Sequence, residues 1–137
     1  MAEFVFRDML SKRGLSEKFV VNSSATSTEE IGNPPHRGTV ELLNKKGIPV
    51  FSHRSVRLRK SDYDNYDYFI GMDTHNIANM HNILRSDADG KIFRLLDFTD
   101  NPHDVADPWY SGDFETCYND IAEGCAAFLE KRVESKE

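Results

Sequence analysis

Between residues 66 and 98 the chain reads YDYFIGMD, DTHNIANMHNIL and GKIFRLLDF, and this succession restricts the fold more than any other feature. The first and third pieces are short runs of branched and aromatic residues, the pattern of strands buried in a sheet. The middle piece places Ile77, Met80, Ile83 and Leu84 on one side of a helical repeat, with Asp73 set to cap its start. A strand, a helix and a strand in that order demand a crossover, so the two strands are expected to lie parallel, with helices covering the sheet.

The same alternation runs through the remaining chain. KFVVNSS (18–24) reads as a short buried strand of Phe19, Val20 and Val21, and RGTVELLNKKG as a helix closed by Gly47. IPVFS is a brief extended piece. FETCYNDIAEGCAAFLEKRV (114–133) is a last amphipathic helix with Cys117, Ile121, Cys125, Phe128 and Leu129 on its apolar stripe. The class is α/β. Ligands of such sheets collect at the carboxyl ends of the strands, positions held here by Ser23 and Ser24, by Asp73, and by the loop containing DVADPWY.

The chain opens with MAEFVFRDMLSKRG. Ala2, Val5, Phe6, Met9 and Leu10 form an apolar face opposite Glu3, Arg7, Asp8, Lys12 and Arg13, and no capping residue stands in front. An uncapped helix start leaves N–H groups and a positive dipole end, which suit a bound anion.

Charge and composition narrow the function. A net charge of −6 opposes general nucleic-acid binding, and the basic stretch HRSVRLRK (53–60) reads as a solvated loop or edge. No apolar run approaches the 18 residues of a membrane span, and the N-terminus lacks the layout of a secretory signal, so a cytoplasmic protein of one domain, residues 1–137, is expected. Cys117 and Cys125, the two cysteines, are too few and too oddly spaced for a disulfide framework or a zinc site. The five histidines show no paired ligand spacing, so neither a metal nor another cofactor is expected. DADG (87–90) is better read as a polar turn than as the start of a calcium loop.

DPWY (107–110) is the most suggestive local motif. A carboxylate beside two aromatic rings would let the rings hold a flat substrate while the acid manages a proton; Asp-Pro is also an ordinary turn.

Four segments taken together, NSSATSTEEIGNPPHRG, GIPVFSHRSV, DYDNYDYFIGMDTHN and DVADPWYSGDFETCYNDI, resemble the low-molecular-weight protein tyrosine phosphatases in order and spacing, over nearly the whole chain. The resemblance implies a three-layer fold with a four-stranded parallel sheet, order 2-1-3-4, flanked by helices. It implies hydrolysis of a phosphotyrosine protein or small aryl phosphate through a cysteinyl-phosphate intermediate, without metal. By the same resemblance Asp107 is the general acid and base, and Trp109 and Tyr110 are the aromatic walls. Glu29 stands at the position that sets specificity, where a carboxylate should disfavour strongly acidic peptides. Ser23 and His53 match residues that brace the phosphate loop, and Asp73 matches the acid of the family's Met-Asp motif.

In that family MAEF follows directly on C-x-x-x-x-x-R-S-P, the phosphate loop, which follows the first strand. This chain is therefore expected to be an N-terminally truncated form whose first, central strand and nucleophile loop are absent. Neither cysteine replaces the nucleophile, because Glu123 and Lys131 occupy the sixth positions after Cys117 and Cys125. Such a chain should be unfolded, rearranged, or completed by a strand-completing dimer or partner chain. The alternative to a phosphatase is a non-catalytic binding or regulatory protein on the same scaffold. Arsenate reduction on this fold would need redox cysteines in the middle of the chain, and none precedes Cys117.

Overall fold

A computed structural model of the protein describes residues 1–26, 37–51, 56–108 and 112–133. Its elements are α1 (Ala2–Lys12), α2 (Arg37–Lys45), β1 (Phe69–Gly71), α3 (Thr74–Leu84), β2 (Ile92–Arg94) and α4 (Phe114–Phe128), the last continued by a π-helical turn over Leu129–Val133. Short 3₁₀ turns occupy Ser16–Lys18, Lys60–Asn65 and Leu95–Phe98.

The β1–α3–β2 unit forms as its sequence pattern requires. β1 and β2 pair in parallel with Phe69 opposite Ile92, Ile70 opposite Phe93 and Gly71 opposite Arg94. Asp73 caps α3 by accepting from the Asn76 N–H at 2.7 Å, and the Asn76 side chain accepts from the Met72 N–H at 3.0 Å. One of the first free amides of the helix, and one amide just before it, are thereby satisfied by side chains of the same turn. Gly71 lets α3 close on the strand end, since a Cβ there would stand 2.7 Å from the Met80 methyl carbon.

The period of two along β1 divides the interior. Phe69 joins Leu58, Tyr63, Met80 and Leu84 on the α3 side. Ile70 faces the larger cluster, built from Phe4 and Val5 of α1, Leu43 of α2, Leu95 and Leu96, and Cys117, Ile121 and Cys125 of α4. α4 comes close to the Leu95–Phe98 turn because Gly124 has no side chain where Leu95 packs.

Three expectations change. The run 18–24 is not a strand. Among the described residues the nearest sheet-like contact is an isolated parallel bridge just beyond it, between Ala25 and Arg57, and Val20 is 79% exposed. A strand exists through pairing with a neighbour, and here Phe19 packs edge-on against Phe6 while Arg7 bonds the Val21 carbonyl. Second, the described residues contain a two-stranded sheet, with β1 and β2 only three residues long each. The apolar runs around them exceed the paired length because Leu95–Phe98 turns out of the sheet into a 3₁₀ segment that buries Leu95, Leu96 and Phe98. Third, α1 buries Glu3 and Phe4 along with Val5 and Leu10, while Ala2, Phe6 and Met9 are half-buried, so its buried face is rotated from the expected one. Gly47 closes α2 as expected, with φ +74° and a bond from the Ile48 N–H back to the Leu43 carbonyl at 2.9 Å.

Candidate active site

Of the candidate site residues, Asp73 and the segment of Asp107 lie together at the carboxyl ends of β1 and β2. Asp73 follows β1 directly and caps α3. Immediately beside it the loop after Phe98 is tied down residue by residue. Thr99, buried, donates to the Leu96 carbonyl at 2.6 Å and starts the loop. Asp104 Oδ1 accepts from the Thr74 N–H, the Thr74 hydroxyl and Arg94 Nη1, each at 2.9 Å. The Val105 N–H donates to the Met72 carbonyl at 2.9 Å, and the Ala106 N–H to Asp120 Oδ2 at 3.0 Å. Asp107 follows with its side chain on the exposed side of the loop. Residues 72 and 74 thus hold residues 105 and 104, which brings the segments of Asp73 and Asp107 to one end of the sheet.

Charge in this corner is balanced by contact. Partial desolvation works to raise the Asp104 carboxyl, but the bonds from Thr74 and Arg94 outweigh it and hold Asp104 below the usual carboxylate range. Arg94 is in turn raised by its bonds to Asp97 and Asp104. Beyond the loop, Asp113 caps α4 by accepting from the Thr116 hydroxyl at 2.6 Å and the Thr116 N–H at 3.0 Å.

Ser23 lies at the start of α1. Its hydroxyl donates to Glu3 Oε1 at 2.7 Å, and Glu3 Oε2 pairs with Arg7 at 3.0 Å. Sequence reasoning assigned Glu3 to the polar face and missed this buried carboxylate, whose partner Ser23 lies far along the chain. Asn22 and Thr26 continue the attachment, Asn22 donating to the Tyr66 hydroxyl at 2.6 Å and Asn79 of α3 to Thr26 at 3.3 Å. Glu29, His53, Trp109 and Tyr110 lie outside the described residues.

Neither cysteine has the character of a nucleophile. Both are buried in α4; burial pushes the Cys117 thiol up, and pushes that of Cys125 up to about 12. A reactive cysteine needs the opposite, a thiol lowered by positive surroundings. Among the described residues no group of three or more His, Cys, Asp or Glu side chains is arranged to hold a metal ion. No described helix is long and apolar enough to cross a membrane.

A parallel β-α-β unit, with a carboxylate on a bonded loop at the strand ends, is an α/β architecture with polar groups at the end where such sheets bind ligands. The chain belongs to the low molecular weight phosphotyrosine protein phosphatase family, whose profile matches residues 1–137. It is 36% identical over 139 residues to the low molecular weight protein-tyrosine-phosphatase YfkJ of Bacillus subtilis, spanning 100% of this chain and 89% of that protein. The PtpA phosphatase of Staphylococcus haemolyticus is 37% identical over 126 residues, covering 91% of this chain and 79% of its own. The crystal structure of YfkJ superposes with a TM-score of 0.92 over 99% of this chain and 87% of that one. That of SP-PTP from Streptococcus pyogenes superposes with a TM-score of 0.86 at 32% identity, over 98% and 85% of the two chains. The expected family and the α/β class are thus borne out.

Proposed function

We propose that residues 1–137 form the acid-bearing body of a cytoplasmic phosphotyrosine phosphatase, with Asp107 as the group that moves the proton. The observation that carries this reading is the placement of Asp107 directly after three consecutively anchored residues, at the sheet end where such folds bind ligands. The reaction needs a thiolate that attacks phosphorus, and Asp107 then protonates the departing phenolate oxygen. In the second step Asp107 takes a proton from water as the water displaces the cysteine sulfur, releasing phosphate and regenerating the thiolate.

Two components lie outside these residues. No cysteine in 1–137 has arginine six positions later, and both cysteines are buried. By the family resemblance, the nucleophile and phosphate-binding arginine belong to a strand and a C-x-x-x-x-x-R-S-P loop that are not among residues 1–137. Pairing for residues 19–25 comes from the same strand or from a partner chain. Trp109, Tyr110 and Glu29 are assigned to the substrate, a phosphotyrosine protein or small aryl phosphate, and Ser23, His53 and Asp73 to support of the phosphate loop. The same missing thiolate favours a second reading, a non-catalytic binding protein on this scaffold.

Turnover of p-nitrophenyl phosphate separates the two. Residues 1–137 alone should show none, and the chain extended with the upstream strand and loop should be active. Vanadate-sensitive turnover by residues 1–137 would overturn the assignment of the nucleophile; an inactive but folded extended chain would favour the binding protein.

A further inference from the structure

Asp107 leaves a mount with three fixed points on three different parts of the fold. Asp104 is bonded to the start of α3 and to the end of β2 through Thr74 and Arg94. Val105, itself buried, is bonded to the backbone just after β1. Ala106 is bonded to Asp120, one turn and a half into α4. Consecutive residues held in three directions leave the next residue little freedom in its backbone. A proton donor must stand within hydrogen-bond reach of the leaving oxygen, and a displacement of about 1 Å can cost as much as a factor of roughly 100.

Asp104 is exposed, with a side chain 47% accessible. Asp120 is the opposite, with a side chain only 16% accessible. One of its oxygens takes the Ala106 N–H and the other lies 3.7 Å from His103 Nε2, while His103 Nδ1 contacts the Asn101 carbonyl at 2.6 Å. A shielded carboxylate on a helix is thus spent on the backbone N–H immediately before Asp107.

We propose that Asp120 and Asp104 are positioning residues for the reaction, holding the loop so that the Asp107 carboxyl group reaches the leaving oxygen. This rests on the reading of Asp107 as the proton donor. A positioning role predicts a pattern that mere support of the fold does not. Loss of proton donation slows poor leaving groups and spares good ones, because p-nitrophenolate departs with little help from an acid.

The test uses the catalytically complete, extended chain, with phenyl phosphate and p-nitrophenyl phosphate as substrates. Asp120→Ala should lower kcat/KM for phenyl phosphate roughly tenfold and leave kcat/KM for p-nitrophenyl phosphate within about twofold, since this ratio reports leaving-group departure and not the hydrolysis step that both substrates share. Asp120→Asn keeps an oxygen for the Ala106 N–H and should restore most of that loss. Asp104→Ala should repeat the pattern of Asp120→Ala. Combined with Asp107→Asn, Asp120→Ala should add no further loss, since there is no acid left to aim. Equal loss on both substrates, no loss on either, or full additivity with Asp107→Asn would overturn the proposal while leaving Asp107 in its role. Unchanged phenyl phosphate turnover in Asp107→Asn alone would overturn the reading of the acid, and this proposal with it.

Discussion

Two regions of the molecule are built differently. From Phe69 to Ala106 the turns and loops are fastened by side chains. Asp73 and Asn76 close the start of α3, Asp104 joins α3 to β2, and Asp87 takes the Tyr63 hydroxyl and the Lys91 N–H, each at 2.7 Å. The described residues 19–26 and 56–58 pair with each other through an isolated bridge, Ala25 to Arg57, and reach the rest through side-chain bonds of Asn22, Ser23 and Thr26, with Val20 79% and Val56 55% exposed. The contrast is between a region held by its own hydrogen bonds and one that leaves apolar residues exposed.

The contrast can be broken most directly by truncating one apolar residue from each region. Leu96→Ala, at a fully buried position, should cost about 2–5 kcal/mol in urea unfolding, whereas Val20→Ala should stay within about 0.5 kcal/mol in residues 1–137. A large cost for Val20→Ala would show that the run 18–24 already has a partner, and an increase in that cost on adding the upstream segment would sharpen the assignment.

A smaller effect is expected at the turn before β2. Asp87→Ala leaves the Tyr63 hydroxyl and the Lys91 and Ile92 N–H groups without their acceptor, and should cost about 1–3 kcal/mol. pH offers an independent check. Partial burial works to raise the Asp87 carboxyl, but the bonds from Tyr63, Lys91 and Ile92 prevail and hold it below its ordinary value. A lowered folded-state pKa means that the unfolded chain binds the proton first as pH falls. The stabilisation is therefore complete above about pH 4 and is lost as pH drops through the folded value. Comparing wild type with Asp87→Ala between pH 6 and pH 3 should show the difference in unfolding free energy shrinking over the acidic part of that range. A difference that stays constant would mean that the carboxylate form is not what matters.

The smallest effect belongs to Asp73→Ala, which removes one cap and should cost about 1 kcal/mol, read from the unfolding midpoint.

These regions also differ in how far they were legible from sequence. β1, α3 and β2 could be read because their signals are local: apolar period, a cap three residues before the amide that donates to it, and a glycine after α2. Run 18–24 misled because its residues suit a strand while strand formation depends on a remote partner. Glu3 was hidden for a related reason, since its burial follows from Ser23, twenty positions away. Asp107 was visible through the DPWY motif and the family resemblance. Asp104 and Asp120 were not, because Thr74 and Ala106 find them only after the loop has folded back over the strand ends. Glu29, His53, Trp109 and Tyr110 keep the roles proposed for them from resemblance.

The parallel register of Phe69 with Ile92 also bears on the assembly of the chain. Those partners are 23 residues apart, so bringing them together costs less chain entropy than joining the first helix to the last, which closes a loop of more than about 100 residues. The middle of the polypeptide thus pairs through local contacts, and the packing of its first helix on its last is the most non-local contact of the fold.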